Sequence, residues 1–187
     1  MLNSFFDKFI FTSTIKYTHS NFYLVNVPFL ILPVDALLGI AAVQDNEFQR
    51  KIYSAVKKST LDNLMKDFGE TLGIDSKKEV DFVETFFTAS GWGQIQNIDV
   101  QAESKRAIVV LDSSPFVAQL RGKTQISADV FLRGVLAGLF SKSFKEDVDC
   151  VEVECAALTG ERCKFIIKPK TEFDFMNKVV QEQLTHE

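Results

Sequence analysis

Between Asp129 and Phe140 the chain is apolar nearly all round, with Arg133 the one charge after the first residue. A helix with so little polar surface is buried on most sides. Gly134 and Gly138 stand four apart and so on one face. Each helical glycine costs roughly 1 kcal/mol relative to alanine, and close approach of another element offsets that cost. The pattern predicts a helix over 129–144 with a neighbour pressed against the glycine face. The period then changes to two. Cys150-Val-Glu-Val-Glu-Cys155 alternates, putting Val151, Val153 and Cys155 on one face of a strand and Cys150, Glu152 and Glu154 on the other. Leu158 to Glu161 reads as a turn and Cys163 to Lys168 as the return strand, ended by Pro169.

The remaining elements follow from the same periodicities. Leu2, Phe5, Phe6, Phe9 and Ile10 have helical spacing, and Ile15 to Val27 reads as a hairpin turning at Ser20-Asn21. Pro28 cannot donate to a ladder, so Val27 to Pro33 is an edge or a connector. An apolar edge there invites a second subunit. Pro33 to Val43 reads as a helix with Pro33 in the cap region. A longer helix is expected over 47–72, where Phe48, Ile52, Val56, Leu64, Met65 and Phe68 recur at spacings near three and four, and another over 77–90, stopped by Gly91. Strands are expected at 94–101, 106–111, 150–157 and 163–168, and a terminal helix from Phe173, Met176, Val179, Val180 and Leu184. The expected architecture is α+β: an antiparallel sheet packed against helices, with a helix and β-hairpin extension at residues 1–32 ahead of a domain at 33–187.

Composition narrows the function. The 187 residues are 46% hydrophobic, enough for one sizeable core. Eighteen phenylalanines serve either as core or as the lining of an apolar cavity. A net charge of −4 argues against a nucleic-acid surface, which needs clustered lysine and arginine. Asp7 and Lys8 interrupt the apolar N-terminus, so it does not read as a secretion signal, and no apolar run reaches the roughly 18 residues of a membrane span. The expected location is the cytoplasm. Neither His19 nor His186 has a nucleophile nearby in sequence, and no phosphate-binding glycine loop appears, so no catalytic residue is nominated.

The sharpest chemistry is the cysteine pair. With the turn centred on Thr159, Cys155 falls opposite Cys163, and opposed residues of an antiparallel pair lie about 5 Å apart on one face. Three outcomes stay open: zinc, which two thiolates suit at about 2.3 Å per sulfur, a plain thiol pair, or a cross-strand disulfide.

Phe131-Leu-Arg-Gly-Val-Leu-Ala-Gly-Leu-Phe140, Glu152-Val-Glu-Cys155 and Gly160-Glu-Arg-Cys163-Lys-Phe165 together resemble the C-terminal signature of the 4-vinyl-reductase domain family. Gly91-Trp92-Gly93, followed by Asp99, and Ser114-Pro115-Phe116 fall where that family has corresponding elements, so the resemblance spans roughly residues 75 to 168. It implies a fold shared with nitric-oxide-sensing and Golgi-tethering TRAPP-type ligand-binding domains, built around a small-molecule pocket. Zinc-binding sensor members take ligands from positions that match Asp129, Glu152, Cys155 and Cys163 here. The family has a cysteine where Asp129 stands. Glu152, three positions from Cys155, reaches the same side only if a bulge turns the strand.

The leading functional reading is a module that binds or senses a small apolar ligand, its pocket lined by some of Phe82, Phe86, Trp92, Phe116, Phe131 and Val135, with zinc at the cysteine pair. Members that sense phenols hold the hydroxyl with a histidine and a tryptophan. This chain has no histidine between 20 and 185, so a hydrocarbon-like or lipid-like ligand fits better. Such a module is expected as a homodimer through residues 1–32, signalling through a partner protein. An enzyme or carrier for a tetrapyrrole-like substrate is one alternative, and a protein-interaction scaffold is another.

Overall fold

The computed structural model describes residues 15–24, 27–64, 87 and 91–185. The first element is an antiparallel three-stranded sheet, β1 (Ile15–Thr18), β2 (Asn21–Leu24) and β3 (Val27–Phe29), in that spatial order. Its first turn is at His19-Ser20, one residue earlier than the expected Ser20-Asn21. Both turn residues take positive φ, 49° and 64°, the left-handed pair that matches strand twist in a two-residue hairpin. The Asn21 side chain donates to the His19 carbonyl at 2.9 Å, which fixes the turn. Pro28 sits on an edge strand, opposite Tyr23, as its missing N–H requires.

Helix α1 (Val34–Ala41) follows Pro33, and α2 (Asn46–Ser59) is capped by Asp45, whose carboxylate accepts from the Glu47 and Phe48 N–H groups. One wide turn, Thr60–Leu64, extends α2. The rest of the expected 47–72 helix lies outside the described residues, as do the N-terminal helix and the 77–90 helix except Phe87. Gly91, at φ 84°, and the bond from Trp92 N–H to the Phe87 carbonyl, 3.1 Å, mark the end of that last segment.

A second antiparallel sheet comprises β4 (Gln94–Gln101), β5 (Arg106–Ser113), β6 (Asp149–Glu154) and β7 (Cys163–Lys168) in the order β4-β5-β7-β6. Between β5 and β6 run the short helix α3 (Pro115–Leu120) and the long helix α4 (Val130–Phe144). A single helical turn, α5 (Ala156–Thr159), links β6 to β7, so β6 ends three residues before the expected 157. The chain closes with α6 (Lys178–Leu184), shorter than the apolar spacing from Phe173 implies; Met176 is almost fully exposed.

The core is a sandwich with α4 in the middle. One side of α4 covers β6 and β7, whose inward row with β5 is Ala107, Val109, Leu111, Cys163, Phe165, Ile167, Cys150 and Glu152, all buried. The other side meets α2 at the glycine face. A methyl group on Gly134 would lie 2.7 Å from Val56 Cβ, and one on Gly138 would lie 2.7 Å from the Lys57 carbonyl oxygen. Bare backbone is therefore what lets the two helices come together.

Candidate metal and ligand site

Three of the four cysteine-site residues converge. One side-chain donor atom from each of Glu152, Cys155 and Cys163 lies within 4.8 Å of the others, and all three residues are buried. The thiols meet because the β6–β7 register, Glu154 opposite Lys164, brings Cys155 next to Cys163. Glu152 joins them through a register shift between Glu152 and Glu154. Val153 is the extra residue of this bulge and turns outward, 37% exposed. The simple alternation, which puts Glu152 and Cys155 on opposite faces, fails at that residue.

Asp129 completes the cluster from the start of α4. It is fully buried, yet it makes no side-chain cap to its own helix. Its carboxylate turns inward instead, accepting from Ser114 Oγ at 2.5 Å and from Cys163 Sγ at 3.2 Å, while its N–H donates to Glu152 Oε2 at 3.4 Å. Ser114 also caps α3 by accepting from Phe116 N–H. The Ser-Pro pair carries a cap signal, but nothing local in sequence points Ser114 at Asp129.

Burial dominates the electrostatics. It pushes the Asp129 carboxyl up to about 6, against the hydrogen bonds from Ser114 and Cys163, and raises Glu152 well above the usual carboxylate range, with Asp129 adding to the effect. Cys155 is lowered to about 6, first by its hydrogen bond with Cys163 and then by the Ala128 and Ala157 backbones. Cys163 is raised by the same contact and by burial, so of the two it holds its proton. Without a metal the site stays close to neutral by keeping protons on Glu152 and Cys163.

The donor set fits a metal on one further observation: Glu152 Oε1 is buried with no hydrogen-bond partner. A buried, unsatisfied carboxylate oxygen is costly unless something binds it. Thiolate and carboxylate together suit zinc. The hydrogen-bond donors to the two carboxylates are neutral, namely Ser114, the Asp129 backbone and Cys163. Cys150, by contrast, is fully buried with its pKa raised by burial, and all three cysteines are free thiols.

The aromatic candidates stand beside this cluster. Trp92 and Phe116 have ring centroids 6.3 Å apart, and Phe116 and Phe131 5.6 Å apart. Phe87, which the sequence reading did not single out, extends the row at 6.1 Å from Trp92. Val135 lies one turn beyond Phe131 and is half-buried against the core. Phe82 and Phe86 lie outside the described residues.

Comparison with known proteins agrees with this geometry. Residues 108–169 match the family model of the 4-vinyl-reductase domain. The phenol-responsive sensory domain of the transcription activator PoxR is similar over 100% of both chains, with TM-score 0.69 at 13% identity. A trafficking protein particle complex subunit 3 from Naegleria fowleri, covalently bound to palmitic acid, aligns at TM-score 0.51 and 13% identity over 72% of this chain and 87% of that one. A vinyl-4-reductase family protein from Methanocaldococcus jannaschii aligns at TM-score 0.44 and 15% identity over 75% and 96%. No curated protein matches the sequence. The likeness to the first two structures shows a shared fold, and the matched segment holds Asp129, Glu152, Cys155 and Cys163 together: the chain carries a 4-vinyl-reductase domain.

Proposed function

We propose that this protein is a binding or sensing module for a small apolar ligand, with zinc held by Cys155, Cys163 and Glu152 and with Asp129 as fourth ligand or as hydrogen-bond acceptor beside them. The observation that carries the reading is that two short segments serve both sites. Ser114 to Phe116 and Asp129 to Phe131 supply the Ser114–Asp129 bond at the thiols and the Phe116–Phe131 contact in the aromatic row. A metal that fixes the start of α4 fixes the aromatic wall with it. Zinc bound here would replace the protons of the buried groups and act as a structural clamp. The similarity in fold to a domain crystallised with phenol and to a subunit carrying palmitic acid supports a ligand role. Output then passes to a partner protein.

The reading also takes the chain as a homodimer through residues 1–32, ahead of the binding domain at 33–187, in a reducing compartment such as the cytoplasm. Free thiols support the last point. No described helix is long and apolar enough to cross a membrane.

Trp92, the single tryptophan, gives the test a built-in probe. Native mass spectrometry of freshly purified protein is expected to find a co-purified apolar ligand, and adding alkyl or aromatic compounds should change Trp92 emission saturably. No bound species and no saturable response across such a panel would overturn the ligand reading. Consumption of a tetrapyrrole-like compound would replace it with the enzyme reading. Elemental analysis of protein purified without chelators should find close to one zinc, lost in Cys155→Ser.

A further inference from the structure

Strand β6 is an edge strand, yet its outward backbone groups are not left to water. Cys150 N–H donates to Tyr53 Oη at 2.9 Å, and the Cys150 carbonyl accepts from Arg133 Nε at 3.2 Å. Two residues on, Glu152 N–H donates to Gln183 Oε1 and the Glu152 carbonyl accepts from Gln183 Nε2, each at 2.9 Å. The primary amide of Gln183 thus does at Glu152 what the peptide group of a neighbouring strand would do. Its Nε2 also donates to Ser127 Oγ at 3.0 Å, two residues before Asp129, and its main-chain carbonyl accepts from Arg133 Nη2 at 3.2 Å. Gln183 is buried, and it belongs to α6.

We propose that Gln183 is a positioning residue for the thiol–carboxylate site: its amide sets the backbone of Glu152 and the loop leading to Asp129, and so couples docking of α6 to occupancy of the site by a divalent metal. The metal part rests on the zinc reading given above; the positioning part does not. Glu152 lies where the register with β7 breaks, so pairing with β7 alone holds the strand only on one side of the bulge. Its carboxylate has little else to fix it, because Oε1 is unpartnered and Oε2 has only the long 3.4 Å contact to Asp129 N–H. The direction of that side chain therefore follows its backbone, and its backbone follows Gln183. By thermodynamic reciprocity, metal that favours this placement of Glu152 favours a docked α6, and an undocked α6 weakens the metal.

The decisive variant is Gln183→Met, which keeps length and volume and removes both amide bonds, with Lys178→Met on the exposed side of α6 as control. Zinc affinity, measured by competition with a chromophoric chelator, is expected to fall about tenfold or more in Gln183→Met and to stay unchanged in the control, within the range typical of groups that orient a metal ligand. In the unmutated protein zinc should slow hydrogen exchange across α6, and Gln183→Met should lose that effect. A metal-independent readout separates the two parts. In metal-free protein, Cys155 and Cys163 should alkylate several-fold faster in Gln183→Met, while Cys150 stays protected and so reports an intact fold. If the unmutated protein takes up no zinc but the alkylation difference appears, the zinc reading fails and the positioning role stands. If neither affinity nor site alkylation changes, Gln183 does not position the site and the proposal is overturned.

Discussion

The residues at the candidate site differ in how far they announce themselves. Cys155 and Cys163 are legible from the hairpin arithmetic, because antiparallel register is a local count. Glu152 is not, since its side depends on a one-residue bulge that no pattern of apolar and polar positions marks. Asp129 is visible as a helix-start residue, but the cap it suggests is absent and its carboxylate serves the site instead. The protonation of these groups yields two tests. Zinc must displace the protons that burial leaves on Glu152 and Cys163, so binding should tighten with rising pH and release close to two protons per ion near neutral pH. Calorimetry in buffers of different ionisation enthalpy reads that number; no buffer dependence would contradict the assignment. For the metal-free protein the sign follows from linkage. Asp129, raised to about 6, and Glu152, raised well above its usual range, keep in the folded state protons that the unfolded chain loses near pH 4. Their stabilising contribution is present below pH 4 and is lost as pH rises toward 6. Glu154, held low by Arg162, acts in the opposite direction, but this pair is exposed and screened. Urea midpoints of metal-free protein should fall between pH 4 and 6, and Asp129→Asn should flatten the slope; a slope that Asp129→Asn leaves unchanged would show that another group carries it.

Among the elements, those with unbroken periodicity are the ones the sequence gets right: α4, β4 and β7 stand where spacing puts them, because one face or all faces are buried and the pattern has to match. The misses have tertiary causes. Strand β6 stops early because Cys155 starts a helical turn, and the expected terminal helix shrinks to α6, where Gln183 docks on the β6 edge. The packing of α4 on α2 supports a direct prediction. Gly138→Ala would set a methyl group 2.7 Å from the Lys57 carbonyl and from Thr60 Cβ, so the helices must separate, at a cost of about 1–3 kcal/mol. Gly134→Ala meets chiefly the Val56 side chain, which can adjust, and should cost less. Chemical denaturation of both variants gives the ranking; equal stability to the parent would mean that the glycines are not what sets the approach. Tyr53→Phe probes the β6 edge in the same way. It removes a hydroxyl bonded to Asp149 Oδ1 at 2.8 Å and to Cys150 N–H at 2.9 Å, leaving a buried donor unpaired, for about 1–3 kcal/mol.

At the scale of the whole molecule, the 4-vinyl-reductase core accounts for the C-terminal part, and the first strands raise a separate question of what covers them. Tyr17, Leu30, Ile31 and Leu32 are 65%, 77%, 69% and 52% exposed, and Phe22, whose ring lies 4.8 Å from that of Tyr17, adds to them. A soluble monomer rarely keeps so many large apolar groups in water within one short stretch, and β1 and β3 are edge strands open to pairing. The homodimer proposed through residues 1–32 would cover both the side chains and the edges. Pro28 disfavours pairing along β3, so Leu30 to Leu32 are expected to meet the partner through side-chain contact and not through a continuous ladder. Light scattering on the full chain at micromolar concentration should give twice the 21.1 kDa chain mass. Leu30→Asp with Ile31→Asp introduces two charges at the most exposed apolar positions of this stretch, outside the core, and should return the mass to that of a monomer with the zinc content unchanged. A monomer in the parent protein would remove the proposed dimer altogether, whereas a dimer that survives the double substitution would move its surface away from residues 1–32.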